Sequence, residues 1–547
     1  MRRSRLVGGL AAVAALAVGG AVSAPVAGSA PVADGQRTET PVVSSSPVSE
    51  VVESVVSVRV PLPDSVGPHP EACDRLSYLR WRHADGPADS ASADRVLVAQ
   101  PGVIEGAGAF DSVARNTVVE AAELGRHVEF WALDRRSNCL EDNTGRMAGL
   151  AARDHQVAID YYYRGGAVDG RTFAGFQTNE QVGWLGEVGI AQTVRDQYDL
   201  IRHELPDPAQ RREKLFCGGH SLGGLITGYF ATWDFDGDAA TTDDAGHNQC
   251  AGWFALDSTI RTALPAATAD RMLPAAEDPS APILSLPAVI NPETMSLLGL
   301  AGLAALTDPH GTSDLINFAT GVPAAKDFNL SNQTAMAALL DNNSQPLAFL
   351  QASVGFFDGG KIADKEFPLA HELGDLPLLG ELRNLLGLDR KAIPTDAGFP
   401  LGTGPTYTWR NYDRIDAPDD PRHRARDGRP FTSAAKEVTD VGQLARSLAE
   451  APLDFTEWYF PARLSEEARD PTAEIARHTL HPGGITARPV ITLLAGAGYD
   501  RPQEPDQPAP VLAPGYHHLD VLTAAAAQNG GRQEPVSVNL ARFVTIG

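Results

Sequence analysis

The segment 214–226, KLFCGGHSLGGLI, decides the fold of this 547-residue chain. It contains the pentapeptide GHSLG at residues 219–223, a G-x-S-x-G pattern in which glycines let the backbone pack closely around a serine at a sharp turn. A short apolar run precedes the turn, and apolar residues recur at helical spacing after it. The segment therefore predicts a strand, a turn and a helix, with Ser221 at the turn as a candidate nucleophile. The alternative interpretation is a glycine-rich turn with a buried serine.

The same alternation of strand and helix recurs on both sides of this turn. Short apolar runs predict strands at residues 96–99, 127–133, 253–257 and 490–495, and 3.6-residue spacing predicts helices at 110–124 and 184–201. Strands that alternate with helices build a parallel sheet with helices packed against it. We therefore expect an α/β fold with a mostly parallel sheet.

The composition limits which classes of partner are possible. Hydrophobic residues make up 43% of the chain, which is ample for a core. The 45 Lys and Arg residues face 69 Asp and Glu residues, for a formal charge of −24. Such a charge repels phosphate backbones, so we expect no nucleic acid partner. After the N-terminal region, no apolar run is long enough to predict a transmembrane segment.

The N-terminal region has the pattern of an export signal. A basic start, Met1–Arg5, is followed by the apolar run Leu6–Val22 and then by small residues. We therefore expect residues 1–30 to be a signal peptide and the mature protein to be secreted or held in the cell envelope. Residues 31–70 are rich in Pro, Ser and Val, and we expect a flexible lead-in there.

A serine hydroxyl needs a base within hydrogen-bond reach and a carboxylate that orients this base. In the order serine, acid, histidine, the chain offers Ser221, Asp500 after a late strand, and His518. This order resembles that of the α/β-hydrolases, and His518-Leu519-Asp520 is similar to the H-L-D around the catalytic histidine of acid lipases. The resemblance implies a triad of Ser221, Asp500 and His518.

Neighbouring residues leave alternatives within this triad. His517 could be the base in place of His518. Asp257, at the end of the strand predicted at 253–257, is the alternative acid, because a carboxylate there could also reach the histidine. Asp520 is expected to cap a helix.

The resemblance also implies an oxyanion hole. The fold supplies one backbone N–H from the residue after the nucleophile and one from an early strand-to-helix loop. These would be the N–H groups of Leu222 and Val103. The family often has His-Gly where this chain has Gln100-Pro101-Gly102, so this loop departs from the family pattern.

The resemblance implies a core in two parts. We expect residues 71–257 and 489–547 to form the hydrolase core, and residues 258–488, where the alternation stops, to be an inserted lid or cap. The apolar run 295–306 is too short to span a bilayer. Either a lid helix or a core helix of the insertion accounts for it.

Four cysteines are present, and their even number in an exported chain favours two disulfides. Three pairings are possible. We favour Cys73 with Cys139 and Cys217 with Cys250, since the last two lie in or just before strands expected to be neighbours. A buried, unpaired Cys217 is the alternative.

No cofactor or metal is expected. The acidic residues between Asp234 and Asp244 lack the spacing of an EF-hand loop and indicate a solvated loop. We expect an exported serine hydrolase that cleaves carboxylic esters through an acyl-enzyme, with small-molecule or lipid-like esters as substrates. A peptidase or acyltransferase with the same triad, or a binding protein that keeps the fold without turnover, are the alternatives.

Overall fold

The computed structural model describes residues 37–263, 278, 280–286, 290–315, 318, 327–365, 391–415, 423–498 and 506–546. The expected signal peptide, residues 1–30, lies outside these ranges, as does Asp500. Within the described ranges, no helix is both long and apolar enough to cross a bilayer.

A nine-stranded sheet forms the centre of the molecule. The strands of the chain are β1 (Arg37–Val42), β2 (Val51–Arg59), β3 (Arg75–His83), β4 (Arg95–Gln100), β5 (Val128–Leu133), β6 (Ala167–Val168), β7 (Arg171–Thr172), β8 (Leu215–His220), β9 (Gly252–Leu256), β10 (Asn329–Leu330), β11 (Gly355–Asp358), β12 (Ile362–Lys365), β13 (Lys391–Pro394), β14 (Thr406–Asn411), β15 (Val490–Ala495) and β16 (Val511–Ala513). The central sheet has the order β1-β2-β3-β5-β4-β8-β9-β15-β16. The six strands from β5 to β16 in this order run parallel, and β1, β2 and β3 add antiparallel pairs at one edge.

Helices flank this sheet, and further helices lie within residues 258–488. They are α1 (Asp111–Glu123), α2 (Thr144–Ala152), α3 (His155–Tyr163), α4 (Ile190–Glu204), α5 (Pro208–Lys214), α6 (Leu222–Thr232), α7 (Pro292–Thr307), α8 (Asn332–Leu340), α9 (Val441–Glu450), α10 (Ala462–Arg469), α11 (Ala473–His478), α12 (Asp520–Thr523) and α13 (Pro535–Ile546). Helix α1 packs against α13, and α4 packs against α6.

The central strands β5, β8 and β9 are buried along their whole length. Such strands are apolar without alternation because both faces of the sheet are covered. The predicted strands at 96–99, 127–133, 253–257 and 490–495 correspond to β4, β5, β9 and β15. The expected fold class, a mostly parallel sheet flanked by helices, is confirmed.

The expected flexible lead-in differs from the structure from residue 37 onwards. Strands β1 and β2 lie at the edge of the central sheet, and β2 pairs with β3 over its nine residues. Val56 and Val58 of β2 are fully buried, so its valines contribute to the core. The side chain of Arg80 on β3 donates to Glu39 of β1 and to Glu129 of β5, which ties the edge to the centre. The segment forms a strand, although its composition is typical of linkers, because the valines on one face of β2 are buried.

The apolar run 295–306 lies in α7, a core helix of the inserted region. Its residues from Met295 to Ala305 are buried on all sides. It packs against α9 so closely that a Cβ on Gly302 would overlap the side chain of Leu448. This position therefore accepts only glycine, and the helix is not an exposed lid element.

Both favoured disulfides are present. Cys73 is bonded to Cys139, and Cys217 in β8 is bonded to Cys250, just before β9. All four cysteines are therefore paired. The second disulfide joins adjacent parallel strands next to the Ser221 turn.

Replacing Cys217 and Cys250 by alanine should lower the free energy of unfolding by about 3 to 4 kcal/mol, because the bond closes a loop of 33 residues in the unfolded chain. The Cys73–Cys139 bond closes a loop twice as long, 66 residues, so its removal should cost about 0.6 kcal/mol more. Denaturant unfolding of the two double-alanine variants measures both values. Equal stability of either variant and the unmodified protein would contradict this expectation.

Candidate active site

Ser221 lies at the turn between β8 and α6, as the sequence predicts. Its backbone has φ 52° and ψ −119°, a region that non-glycine residues rarely adopt. The turn is possible because the end of β4 lies against it: a Cβ on Gly219 or on Gly223 would overlap the carbonyl oxygen of Gln100. The backbone N–H of Ser221 donates to Leu256 at 3.1 Å, which fixes the turn to β9. The strained geometry is therefore held by two neighbouring strands.

His518 and Asp257 form a hydrogen-bonded pair beside this turn. The Nδ1 atom of His518 lies 2.5 Å from Oδ2 of Asp257. The other carboxylate oxygen accepts from the backbone N–H of Ala495 in β15, at 3.1 Å. Asp257 is fully buried. Because the carboxylate holds Nδ1 in the donor state, Nε2 of His518 is left to act as an acceptor.

The acid predicted first, Asp500, lies outside the described residues, so no distance from it to His518 is stated. Among the described residues, the alternative acid, Asp257, contacts the histidine. Its strand β9 lies between β8 and β15 in the sheet. The sequence separates Asp257 from His518 by the whole insertion, whereas the sheet order brings the two together.

The other two candidates near the histidine have different surroundings. Burial, followed by the charge of Lys391, lowers the pKa of His517 to about 4. Asp520 accepts hydrogen bonds from the backbone N–H groups of His517 and Ser353 and from the hydroxyl of Thr439. Asp520 therefore joins the histidine loop to the inserted region. The expectation that it caps a helix is wrong, because Asp520 is the first residue of α12 and the N-cap position is Leu519.

Ser221 and His518 line one small cavity. Its lining residues are Gly102, Val103, Ile104, Glu105, His220, Ser221, Phe349, Leu350, Phe455, Thr456, His518 and Leu519. Phe349, Leu350 and Phe455 come from the inserted region, and all three are buried. Ser221 is 5% exposed and His518 2%, so both residues are largely shielded from solvent. The walls are mostly apolar.

Of the two expected oxyanion donors, Val103 lines this cavity and Leu222 directly follows Ser221 in the chain. Leu222 is the first residue of α6, so its N–H has no acceptor within the helix. In the described part of the chain, the N–H of Val103 has no protein acceptor.

An arginine clamps the loop that carries Val103. The guanidinium of Arg135 donates to the carbonyl oxygens of Pro101, Gly102 and Glu105, and also to the carboxylate of Glu457, at 2.5 Å. Ile104, within this loop, has φ 53°, which is a rare conformation for a β-branched residue. With its carbonyls bound by Arg135, the loop is held in a strained shape beside the cavity that Val103 lines.

Two residues of the site, Glu105 and His220, were not predicted from the sequence. Glu105 accepts from the backbone N–H of Gly102 at 2.5 Å and lies 3.0 Å from Nδ1 of His220. Nε2 of His220 lies 3.1 Å from the carbonyl oxygen of His518. Burial acts to raise the pKa of Glu105, but His220 and the Gly102 N–H outweigh it, so the pKa lies below its usual range. The sequence signal that could have identified Glu105 is its position as the one carboxylate in segment 102–109, which is rich in Gly and Ala.

Buried carboxylates hold the inserted segment 454–458 against the core. Asp454 pairs with Arg146, and Glu457 pairs with Arg135. Asp134 lies beside them, where burial raises its pKa to about 8, with the charges of Glu457 and Asp454 adding to the effect and hydrogen bonds from Asn138 and Ala107 opposing it. Because this segment carries Phe455 and Thr456 of the cavity wall, these charges bear on the shape of the site.

The acidic loop near Asp234 is partly buried rather than fully solvated. Oxygen atoms of Asp234, Asp236 and Asp244 lie within 4.8 Å of one another. Asp234 contacts Nε2 of His481 at 2.7 Å and accepts from the N–H of Gly237, and Asp244 accepts from the N–H of Asp236. The carboxylates thus fold the loop through backbone hydrogen bonds.

The sheet order, the serine turn after β8 and the His518–Asp257 pair together define an α/β-hydrolase fold. The chain is similar in structure to the monoglyceride lipase of Saccharomyces cerevisiae, at 11% identity over 86% of this chain and 92% of that chain, with a TM-score of 0.28. It is also similar to juvenile hormone epoxide hydrolase from the silkworm Bombyx mori, at 11% identity, 90% and 77% coverage and a TM-score of 0.32.

A third similar structure is an epoxide hydrolase of Vigna radiata, at 10% identity over 86% of this chain and 95% of that chain, with a TM-score of 0.29. No protein-family model and no curated protein matches the sequence. With TM-scores below 0.5, these similarities carry no argument about substrate, and the fold assignment rests on the sheet and the turn.

Asp134 predicts a pH dependence of stability. Its pKa is about 8 in the fold against an ordinary value of 3.8, so the folded state binds more protons than the unfolded state between these two values. The contribution of Asp134 to the free energy of unfolding is largest below about pH 4. It is lost as the pH rises towards 8, at up to about 1.4 kcal/mol per pH unit. Asp134→Asn should therefore flatten the decline of unfolding free energy between pH 5 and 8.

Denaturant unfolding at several pH values, for both proteins, measures this difference. Asp94→Asn serves as a control, because Asp94 lies on the partly exposed loop before β4 and makes an exposed pair with Arg126. Identical pH profiles for Asp134→Asn and the unmodified protein would show that Asp134 is ionised in the folded state.

Proposed function

We propose that this protein is a serine hydrolase that cleaves carboxylic esters through an acyl-enzyme, with Ser221 as nucleophile, His518 as general base and Asp257 as the orienting acid. The observation that carries the proposal is the His518–Asp257 hydrogen bond at 2.5 Å beside a serine held at φ 52°. Asp257 replaces Asp500, the acid expected first from the sequence, in this assignment. Among the described residues, His517 donates its backbone N–H to Asp520, and its side chain has no hydrogen bond to a carboxylate.

The proposed reaction begins when Nε2 of His518 takes the hydroxyl proton of Ser221. The serine oxygen bonds to the carbonyl carbon of the ester, and the carbonyl π electrons move to the oxygen. Asp257 stabilises the imidazolium and keeps the ring in the correct tautomer. The intermediate collapses, the alcohol leaves with the proton from His518, and the acyl group remains on Ser221.

Hydrolysis of the acyl-enzyme repeats these steps with water. His518 takes a proton from the water, the hydroxide oxygen bonds to the acyl carbon, and the Ser221 oxygen leaves with the returned proton. In both halves, the negative oxygen would accept from the N–H groups of Leu222 and Val103. These donors are preorganised, since one opens a helix and the other lies in the loop clamped by Arg135.

The lining of the cavity favours an ester with an apolar acyl group. Phe349, Leu350 and Phe455 face the same cavity as Ser221, and lipid-like esters match such a lining. We propose that residues 258–488 contribute a cap over the site, with these three side chains as its inner surface. Two disulfides accord with a secreted or cell-envelope location.

Replacing Ser221 or His518 by alanine should each lower ester turnover by several orders of magnitude, because serine and base act as one unit, and the double variant should lose little more. A fluorophosphonate probe should label the unmodified protein and leave Ser221→Ala unlabelled. Turnover of p-nitrophenyl esters of increasing chain length measures the first effect and the acyl preference. An unlabelled unmodified protein, or near-normal turnover in either variant, would refute the proposal.

Asp257→Asn should lower turnover by about 10⁴-fold, as the corresponding amide replacement does in serine proteases, because the histidine then loses the carboxylate that fixes its tautomer. Asp500→Asn is the matched control and should retain far more activity. Both variants are assayed on the same ester after circular dichroism has established that they are folded. The reverse ranking would assign the acid to Asp500.

A further inference from the structure

Glu105 and His220 lie where three parts of the site meet. Glu105 belongs to the loop that carries Val103, His220 immediately precedes Ser221, and His518 lies on the late loop of the chain. The Glu105 carboxylate binds the N–H of Gly102 and Nδ1 of His220, and Nε2 of His220 binds the carbonyl oxygen of His518. One chain of hydrogen bonds therefore connects the oxyanion loop, the nucleophile turn and the base.

The partners of His220 determine its protonation. A backbone carbonyl only accepts hydrogen bonds, so Nε2 must carry a proton. On the other side, Nδ1 lies 3.0 Å from both oxygens of Glu105, and one of these already accepts from Gly102. An ionised carboxylate also only accepts, so Nδ1 must carry a proton as well. His220 is then an imidazolium, and Glu105 is its buried counter-ion.

We propose that Glu105 and His220 form a positioning ion pair, which fixes the backbone of His518 and the oxyanion loop relative to Ser221. The pair does not touch the reacting atoms and acts through the groups that do. This assignment deepens the proposed serine hydrolase function and rests on it.

Two features favour a catalytic benefit over simple stabilisation. The rings of His220 and His518 lie 4.4 Å apart, so a proton on His518 during the reaction would face the charge of His220. The carboxylate of Glu105 neutralises that charge, as Asp257 does for His518. The N–H of Gly102 also donates to Glu105. This hydrogen bond fixes the orientation of the next peptide, which carries the Val103 N–H.

Glu105→Ala removes both hydrogen bonds of the carboxylate. We expect kcat to fall by about 10²-fold with KM changed less than threefold, since small displacements of catalytic groups cost about this much. Glu105→Gln should recover most of the loss, because its amide can accept from Gly102 and donate to a neutral His220. The double variant Glu105→Ala, His220→Ala should lose little more than either single variant.

Glu129→Gln is the matched control. Glu129 is an equally buried carboxylate that accepts from Arg80, Ser90 and Trp131, and it lies near the start of β5, away from the serine turn. This variant should lower the unfolding temperature and leave kcat unchanged. If Glu105→Ala behaves like Glu129→Gln, with lower stability and unchanged kcat, the pair is only structural and the proposal is overturned.

Nitrogen NMR of histidine-labelled protein tests the protonation directly, without reference to activity. In the unmodified protein at pH 7, one buried histidine should show two protonated ring nitrogens, and this signal should be absent in His220→Ala and become that of a neutral ring in Glu105→Gln. A neutral His220 in the unmodified protein would overturn the ion pair. Failure of fluorophosphonate labelling would instead refute the serine hydrolase function, so the two failures are distinguishable.

Discussion

The close approach of two backbones at the end of β4 determines the rest of the site. The carbonyl oxygen of Gln100 lies so near the serine turn that neither Gly219 nor Gly223 could carry a side chain. Because of this contact, the loop after β4 must begin directly beside Ser221. The loop lies along the cavity through Val103, and Arg135 binds the carbonyl oxygens of Pro101 and Gly102. The positions of the serine turn, of the loop after β4 and of its arginine clamp are thus linked by one packing constraint.

The inserted region is joined to the sheet by buried charge as well as by apolar packing. Arg135 and Arg146 reach from the core to Glu457 and Asp454, and Arg446 reaches from α9 back to Asp111 at the start of α1. Removing one partner of such a pair leaves an uncompensated charge in the interior, which is strongly destabilising. The insertion is therefore bonded to the same loop that it covers, and the cavity wall at Phe455 has a fixed position relative to Ser221.

Local signals could be predicted from the sequence, whereas contacts across the fold could not. Ser221 was identified because strand, turn and helix lie in one continuous segment, and the strands at 96–99 and 490–495 are uniform apolar runs. The carboxylate that contacts His518 depends on which strand ends lie side by side, and the chain order does not contain that information. Glu105 belongs to no recognisable sequence motif. The valines of β2 resemble a linker in composition, because the strand that pairs with them, β3, lies later in the chain.

The proposed cap also has a consequence for kinetics. With the serine only 5% exposed, an ester would react only in the fraction of molecules in which the part of the proposed cap that carries Phe349 and Leu350 has moved aside. The apparent dissociation constant of any substrate then equals its intrinsic value divided by that open fraction. Substrates with larger apolar groups, which would hold the proposed cap in its displaced position, would gain affinity from the shift in population as well as from contact. Selectivity for acyl size would thus be set in part by the cost of opening.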